Sequence, residues 1–191
     1  WKNKLLNVIP FYLFIIGIAS VASRDFSQIE ALNVFILLLG CIAVGFAEEF
    51  LFRGVIQSLL LKRFTGSRNG ILKAVLTAAF IFGFFHLLNL FKNNNIIAVL
   101  IQVVYATFIG FFFGVLVLKT NKLIPLAITH ALINFFFSLQ YLPGFSISQN
   151  SDTEEASIAA IIIVMPLFII GLILLRKLDK DKVEEKINAS F

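Results

Sequence analysis

The sequence predicts an all-α fold, a polytopic membrane helix bundle with about six spans and both ends cytoplasmic. Hydrophobic residues make up 59% of the chain and charged residues 14%, and the mean hydropathy is +0.95. These values lie far outside the soluble globular range. The apolar residues come in continuous runs rather than alternating, and only helices or closed barrels satisfy every backbone group in lipid. Nearly all the charges fall between the runs.

The runs cover about 5–22, 31–61, 74–91, 96–118, 123–142 and 158–175, and most reach the roughly 20 residues that cross a hydrocarbon core. The first is expected to be a span rather than a cleaved leader, because further spans follow it. The start at Trp1, apolar by Leu5, leads us to expect missing upstream segments. A single transmembrane domain over 1–191 is expected, with 176–191 as a solvated cytoplasmic tail. Cys41 is the single cysteine, so an internal disulfide and any paired-cysteine zinc motif are excluded.

Loop charges set the topology. Of the 16 basic residues, all but Arg24, Arg53 and Lys92 fall at the two ends or in the loops after the second and fourth runs. That bias puts both ends in the cytoplasm. It leaves the acidic stretch 143–157 outside. The net charge of +5 is therefore a membrane-topology signal, and no Gly-rich phosphate loop or aromatic-basic patch points to a nucleic acid partner.

The second run contains "GFAEEFLFRG" at 45–54, with Glu48, Glu49 and Arg53 at bilayer depth. The third contains His86, and the fifth His130 and Asn134. Ionisable residues inside spans are expensive and mark function by default. At about 1.5 Å per residue, Glu48, Glu49 and His86 each lie about 20 Å from their basic borders. His130 and Asn134 lie at about 12 and 18 Å. Three helices can therefore bring polar groups to one level.

Glu49 and Arg53 are spaced i,i+4 and can pair on one face, whereas Glu48 points about 100° away and is free for another partner. Phe82 with His86 and His130 with Asn134 share the same spacing. Gly45, Gly54 and Gly83 would permit close helix approach. In the fourth run, "GFFFG" at 110–114 reads as lipid-facing or packing residues, and Gln102, Tyr105 and Thr107 are candidates to line a substrate groove.

A carboxylate and an imidazole around one water make a general-base arrangement, and a second imidazole with an amide N–H can bind the developing oxyanion. Intramembrane peptide hydrolysis uses these parts. An aspartyl mechanism needs two aspartates in spans, but Asp25, Asp152, Asp179 and Asp181 are in loops or the tail. No His-Glu-x-x-His zinc motif is present, nor any Gly-x-Ser-x-Gly in a span.

"EEFLFR" at 48–53, "FGFFH" at 82–86 and "HALIN" at 130–134 resemble, in order, the three motifs of the CaaX protease and bacteriocin-processing family of intramembrane endopeptidases. The motif core spans 45–134, and the rest is similar only in hydropathy. Members often have eight spans with the first motif on the fourth, so these six resemble the last six. The resemblance implies Glu48 as the base, His86 as its partner at the water, His130 and Asn134 as the oxyanion pair, and Glu49 and Arg53 as supporting residues. It implies a membrane-associated peptide or protein substrate, of CaaX type or from bacteriocin or signal-peptide processing.

No cofactor is expected, with zinc on Glu48, His86 and His130 as the alternative. The Ile, Lys, Asn and Phe bias points to a bacterial plasma membrane. Two other classes stay open: a proton-coupled transporter using Glu48 and the histidines as a relay, and a non-catalytic immunity or scaffold membrane protein.

Overall fold

The computed structural model describes residues 4–64, 66–144, 158–179, 183 and 185. Its described secondary structure is helical throughout. A 3-10 segment, Lys4–Phe11, leads into α1 (Tyr12–Ala19). Then come α2 (Ala31–Glu49), a π-helical segment (Phe50–Ile56) and α3 (Gln57–Phe64). Next are α4 (Gly70–Phe85), a 3-10 segment (His86–Phe91) and α5 (Ile96–Thr120). The chain continues through α6 (Ile124–Ser138), a 3-10 turn (Leu139–Tyr141) and α7 (Ala159–Arg176).

Five helical stretches are long and apolar enough to cross a membrane: Ala31–Phe64, Gly70–Phe91, Ile96–Thr120, Ile124–Tyr141 and Ala159–Arg176. The first expected span is a shorter apolar helix, Leu6–Ala19. Its 3-10 opening around Pro10 rises about 2 Å per residue instead of about 1.5 Å, which restores part of the missing reach. Large apolar side chains such as Phe35, Ile36, Leu39 and Ile42 on α2 are exposed. Such a stripe is what lipid requires of an outer helix face. The chain is an integral membrane protein.

The chain divides into two compact units. The first, Trp1–Phe50 with Lys122–Ser151, holds α1, α2 and α6. Its helices meet through small residues. A Cβ on Gly17 would lie 2.8 Å from the Phe136 Cβ, and one on Gly45 2.7 Å from the Ala131 backbone nitrogen. In the loop after α1, the Ser27 N–H and hydroxyl both donate to the Asp25 carboxylate at 2.8 Å. Those bonds hold the Asp25 carboxyl below the usual carboxylate range. Of the expected external stretch 143–157, residues 145–157 lie outside the described residues.

The second unit, Leu51–Asn121 with Asp152–Phe191, holds α3, α4, α5 and α7. Its core joins Leu61, Ile71, Ala74, Val75, Phe111 and Val115. Helices α4 and α5 approach closely: a Cβ on Gly83 would sit 2.8 Å from the Val103 carbonyl oxygen, and one on Gly110 2.9 Å from the Phe82 ring. Phe111, Phe112 and Phe113 are fully buried, so the run 110–114 packs and does not face lipid. Gly54 is exposed. Of the expected tail 176–191, residues 180–182, 184 and 186–191 lie outside the described residues, and Leu178 and Val183 are buried in this core. Their apolar side chains gain more from that burial than from water.

Candidate functional site

On α2 the buried residues are Cys41, Gly45 and Glu49, a stripe with helical i,i+4 spacing. Glu49 is therefore carried inward by the same face that packs on α6. Glu48, one residue earlier, is turned off that face and keeps 20% of its side-chain surface. Gly45 lets the α2 backbone reach Ala131, which brings the neighbouring His130 level with the two glutamates.

His130 lies between those carboxylates. Its Nδ1 is 2.7 Å from Glu49 Oε1, and its Nε2 is 3.5 Å from Glu48 Oε2. Glu49 is fully buried and His130 nearly so. An ionised carboxylate only accepts, so Nδ1 carries a proton and donates to Glu49. Nε2 and Glu48 Oε2 would set two lone pairs against each other unless a proton lies on one of them. Asn134, one turn beyond His130 on α6, is half-buried and has no side-chain hydrogen bond among the described residues.

The remaining motif residues belong to the second unit. The π-helical segment starts immediately after Glu49 and carries Arg53. Arg53 is buried, with its guanidinium 4.3 Å from the Phe82 ring centroid and 5.7 Å from that of Phe113. It donates to the Gly110 carbonyl at 3.4 Å. One turn on, Gln57 donates to the Gly114 carbonyl at 3.0 Å. Two successive side chains therefore grip two glycine carbonyls of α5.

Phe82 links this grip to His86. The two rings meet edge-on at 4.9 Å, and His86 Nδ1 lies 3.0 Å from the Phe82 carbonyl oxygen. A carbonyl accepts only, so Nδ1 carries a proton and donates to it. His86 also ends α4 and begins a 3-10 segment.

The structure brings Glu48, Glu49 and His130 into direct contact and places Asn134 on the His130 helix. Within the second unit it brings Arg53, Phe82 and His86 together. Gln57 and Asn89 were not anticipated. Each is a polar residue within an apolar run, close after Arg53 or His86, and that placement was the available signal. Among the described residues no three His, Cys, Asp or Glu side chains group as a metal site.

A family profile, Type II CAAX prenyl endopeptidase Rce1-like, matches residues 30–136. This is more than half of the chain. The chain belongs to the Rce1-like type II CAAX prenyl endopeptidase family. The match contains Glu48, Glu49, Arg53, His86, His130 and Asn134. Family membership makes the chain a membrane protease, with a peptide or protein substrate. No curated protein and no solved structure matches it.

Proposed function

We propose that the chain is an intramembrane endopeptidase that hydrolyses peptide bonds of membrane-associated substrates with water activated by a glutamate. The observation that carries this reading is His130 held between Glu48 and the buried Glu49. In it, Glu48 takes a proton from the attacking water, whose oxygen adds to the substrate carbonyl carbon. His86, in its neutral form, is the second acceptor at that water through Nε2; the order and depth of the motifs support this role. Once protonated, Glu48 loses its hold on His130, and the His130 Nε2–H turns to the new oxyanion with the Asn134 amide. Collapse breaks the C–N bond, and Glu48 returns its proton to the leaving amine.

Substrates of CaaX type, or peptides of bacteriocin or signal-peptide processing, fit the family and the sequence motifs. The Ile, Lys, Asn and Phe bias supports a bacterial plasma membrane protein, and the loop charges support both ends of this chain being cytoplasmic. Zinc is the second reading, because a carboxylate on the far nitrogen of a histidine is the arrangement that orients metal ligands. Glu49 on His130 Nδ1 has that form. Glu48, His86 and His130 would then hold the ion, which would supply Lewis-acid activation of water.

The test is cleavage of membrane-bound reporter peptides by the reconstituted full protein, alongside proton flux across the same vesicles. Cleavage by wild type that is lost in Glu48→Gln and His86→Ala supports the proposal. Proton-coupled flux without cleavage makes the chain a transporter. Neither activity makes it an immunity or scaffold protein.

A further inference from the structure

The 3-10 segment His86–Phe91 and the start of α5 carry a polar pair that none of the roles above uses. Asn89 Nδ2 donates to Gln102 Oε1 at 2.8 Å. Both side chains are half-buried, within segments whose Leu88, Phe91, Ile97 and Leu100 are exposed. Amides in so apolar a setting are costly unless protein, water or a ligand meets their remaining groups. Their mutual bond leaves a carbonyl oxygen and one N–H on Asn89 and the whole NH2 of Gln102. Neither side chain has another hydrogen-bond partner among the described residues.

The packing of α4 and α5 fixes where these groups stand. Phe82 clusters with Ala106, and Asn89 bonds Gln102, one α5 turn earlier. His86 falls between those two rungs. In a 3-10 helix, side chains at i and i+3 eclipse, so Asn89 stands over His86 at about 6 Å along the axis.

We infer that the Asn89–Gln102 pair is a subsite for the main chain of an extended peptide, held at a peptide group about two residues from the scissile bond. An extended chain advances about 3.3 Å per residue, so 6 Å corresponds to about two residues. A peptide group offers one N–H and one C=O, the complement of the acceptor and donors the pair leaves open. Hydrocarbon tails offer neither, and an anion would call for a cation instead of two neutral amides. The subsite reads backbone only, which admits substrates of varied side chains. The inference rests on the endopeptidase reading, in which His86 works at the scissile bond.

The test is an ester scan of a farnesylated CaaX-ended reporter peptide, each main-chain N–H near the scissile bond replaced in turn by oxygen, with reconstituted full-length protein. One position should lower wild-type kcat/KM about 3- to 10-fold, the worth of one hydrogen bond. That loss should vanish in Asn89→Leu and Gln102→Leu. A flat scan in wild type, which needs no variant to fold, overturns the subsite. So does an equal loss in folded variants, since interhelical glue alone would lower stability without reading the substrate. If wild type cleaves no unmodified reporter, the endopeptidase reading fails by itself, and the scan is read as competition for peptide binding. A position-specific loss of binding then keeps the amide site, and a flat profile removes it.

Discussion

His130 Nδ1 donates to Glu49 Oε1 across 2.7 Å, between two side chains that are buried together where α2 meets α6. Leaving one partner of a buried hydrogen bond unsatisfied costs about 1–3 kcal/mol, more where a group is charged. Glu49→Ala is therefore expected to lower the thermal unfolding temperature of the detergent-solubilised protein markedly. Glu49→Gln keeps an acceptor oxygen and should retain most of that stability. It should still lower kcat about 100-fold, because a neutral amide no longer stabilises a charged imidazole. Wild-type kcat in a folded Glu49→Gln protein would remove the carboxylate from the mechanism.

The approach of α2 to α6 is set at Gly45. A Cβ there would lie 2.7 Å from the Ala131 nitrogen and 2.9 Å from its Cα, and backbone has little freedom to move aside. Gly45→Ala should destabilise by about 1–3 kcal/mol and cut activity by shifting His130. Gly40 is the control, because a Cβ there meets nothing within 4 Å. Gly40→Ala should leave activity unchanged and add up to about 1 kcal/mol of helix stability. Equal behaviour of the two variants, in unfolding and in cleavage assays, would dismiss the close-approach argument.

Arg53 lies over Phe82 as a planar cation, and Phe82 in turn touches the His86 ring. Lysine keeps the charge but loses the flat stacking surface and the fork of donors. Arg53→Lys is expected to cost about 2 kcal/mol, read by chemical or thermal unfolding. Its cleavage rate, measured well below the unfolding temperature, should fall less than that of Glu48→Gln. A larger loss would mean that Arg53 touches the substrate.

Gln57 and Gly114 form a tighter lock. A Cβ on Gly114 would come within 2.5 Å of the Gln57 amide oxygen. Gly114→Ala and Gln57→Ala should each destabilise by about 1–2 kcal/mol. In the double variant the clash is absent, so its cost should fall below the sum of the two single costs. Strict additivity in a double-mutant cycle would show that the two positions do not interact.

The bundle was legible because lipid imposes length and continuity on every span. The apolar run 96–118 and the helix Ile96–Thr120 describe the same object. That Glu48, Glu49 and His130 can meet was legible from their comparable depth in two spans. What sequence could not supply was the partner that α6 brings to Glu49, His130, which lies 81 residues away, or the π-helical segment that begins at Phe50, since neither leaves a periodic trace. The run 110–114 was ambiguous for a similar reason. Phenylalanines suit lipid and core equally, and the Arg53 and Gln57 bonds to Gly110 and Gly114 depend on partners more than fifty residues away. Burial of Leu178 and Val183 was hidden by the charged residues around them.

The most direct measurement is kcat/KM for Glu48→Gln against wild type, on a membrane-bound farnesylated CaaX reporter, with metal content verified in both samples. Loss of a general base is worth about 100- to 10,000-fold. A fall in that range is expected, in protein that stays folded and keeps its metal content, with wild-type activity surviving stringent chelation. Cleavage by folded Glu48→Gln at a rate near wild type would contradict Glu48 as the base.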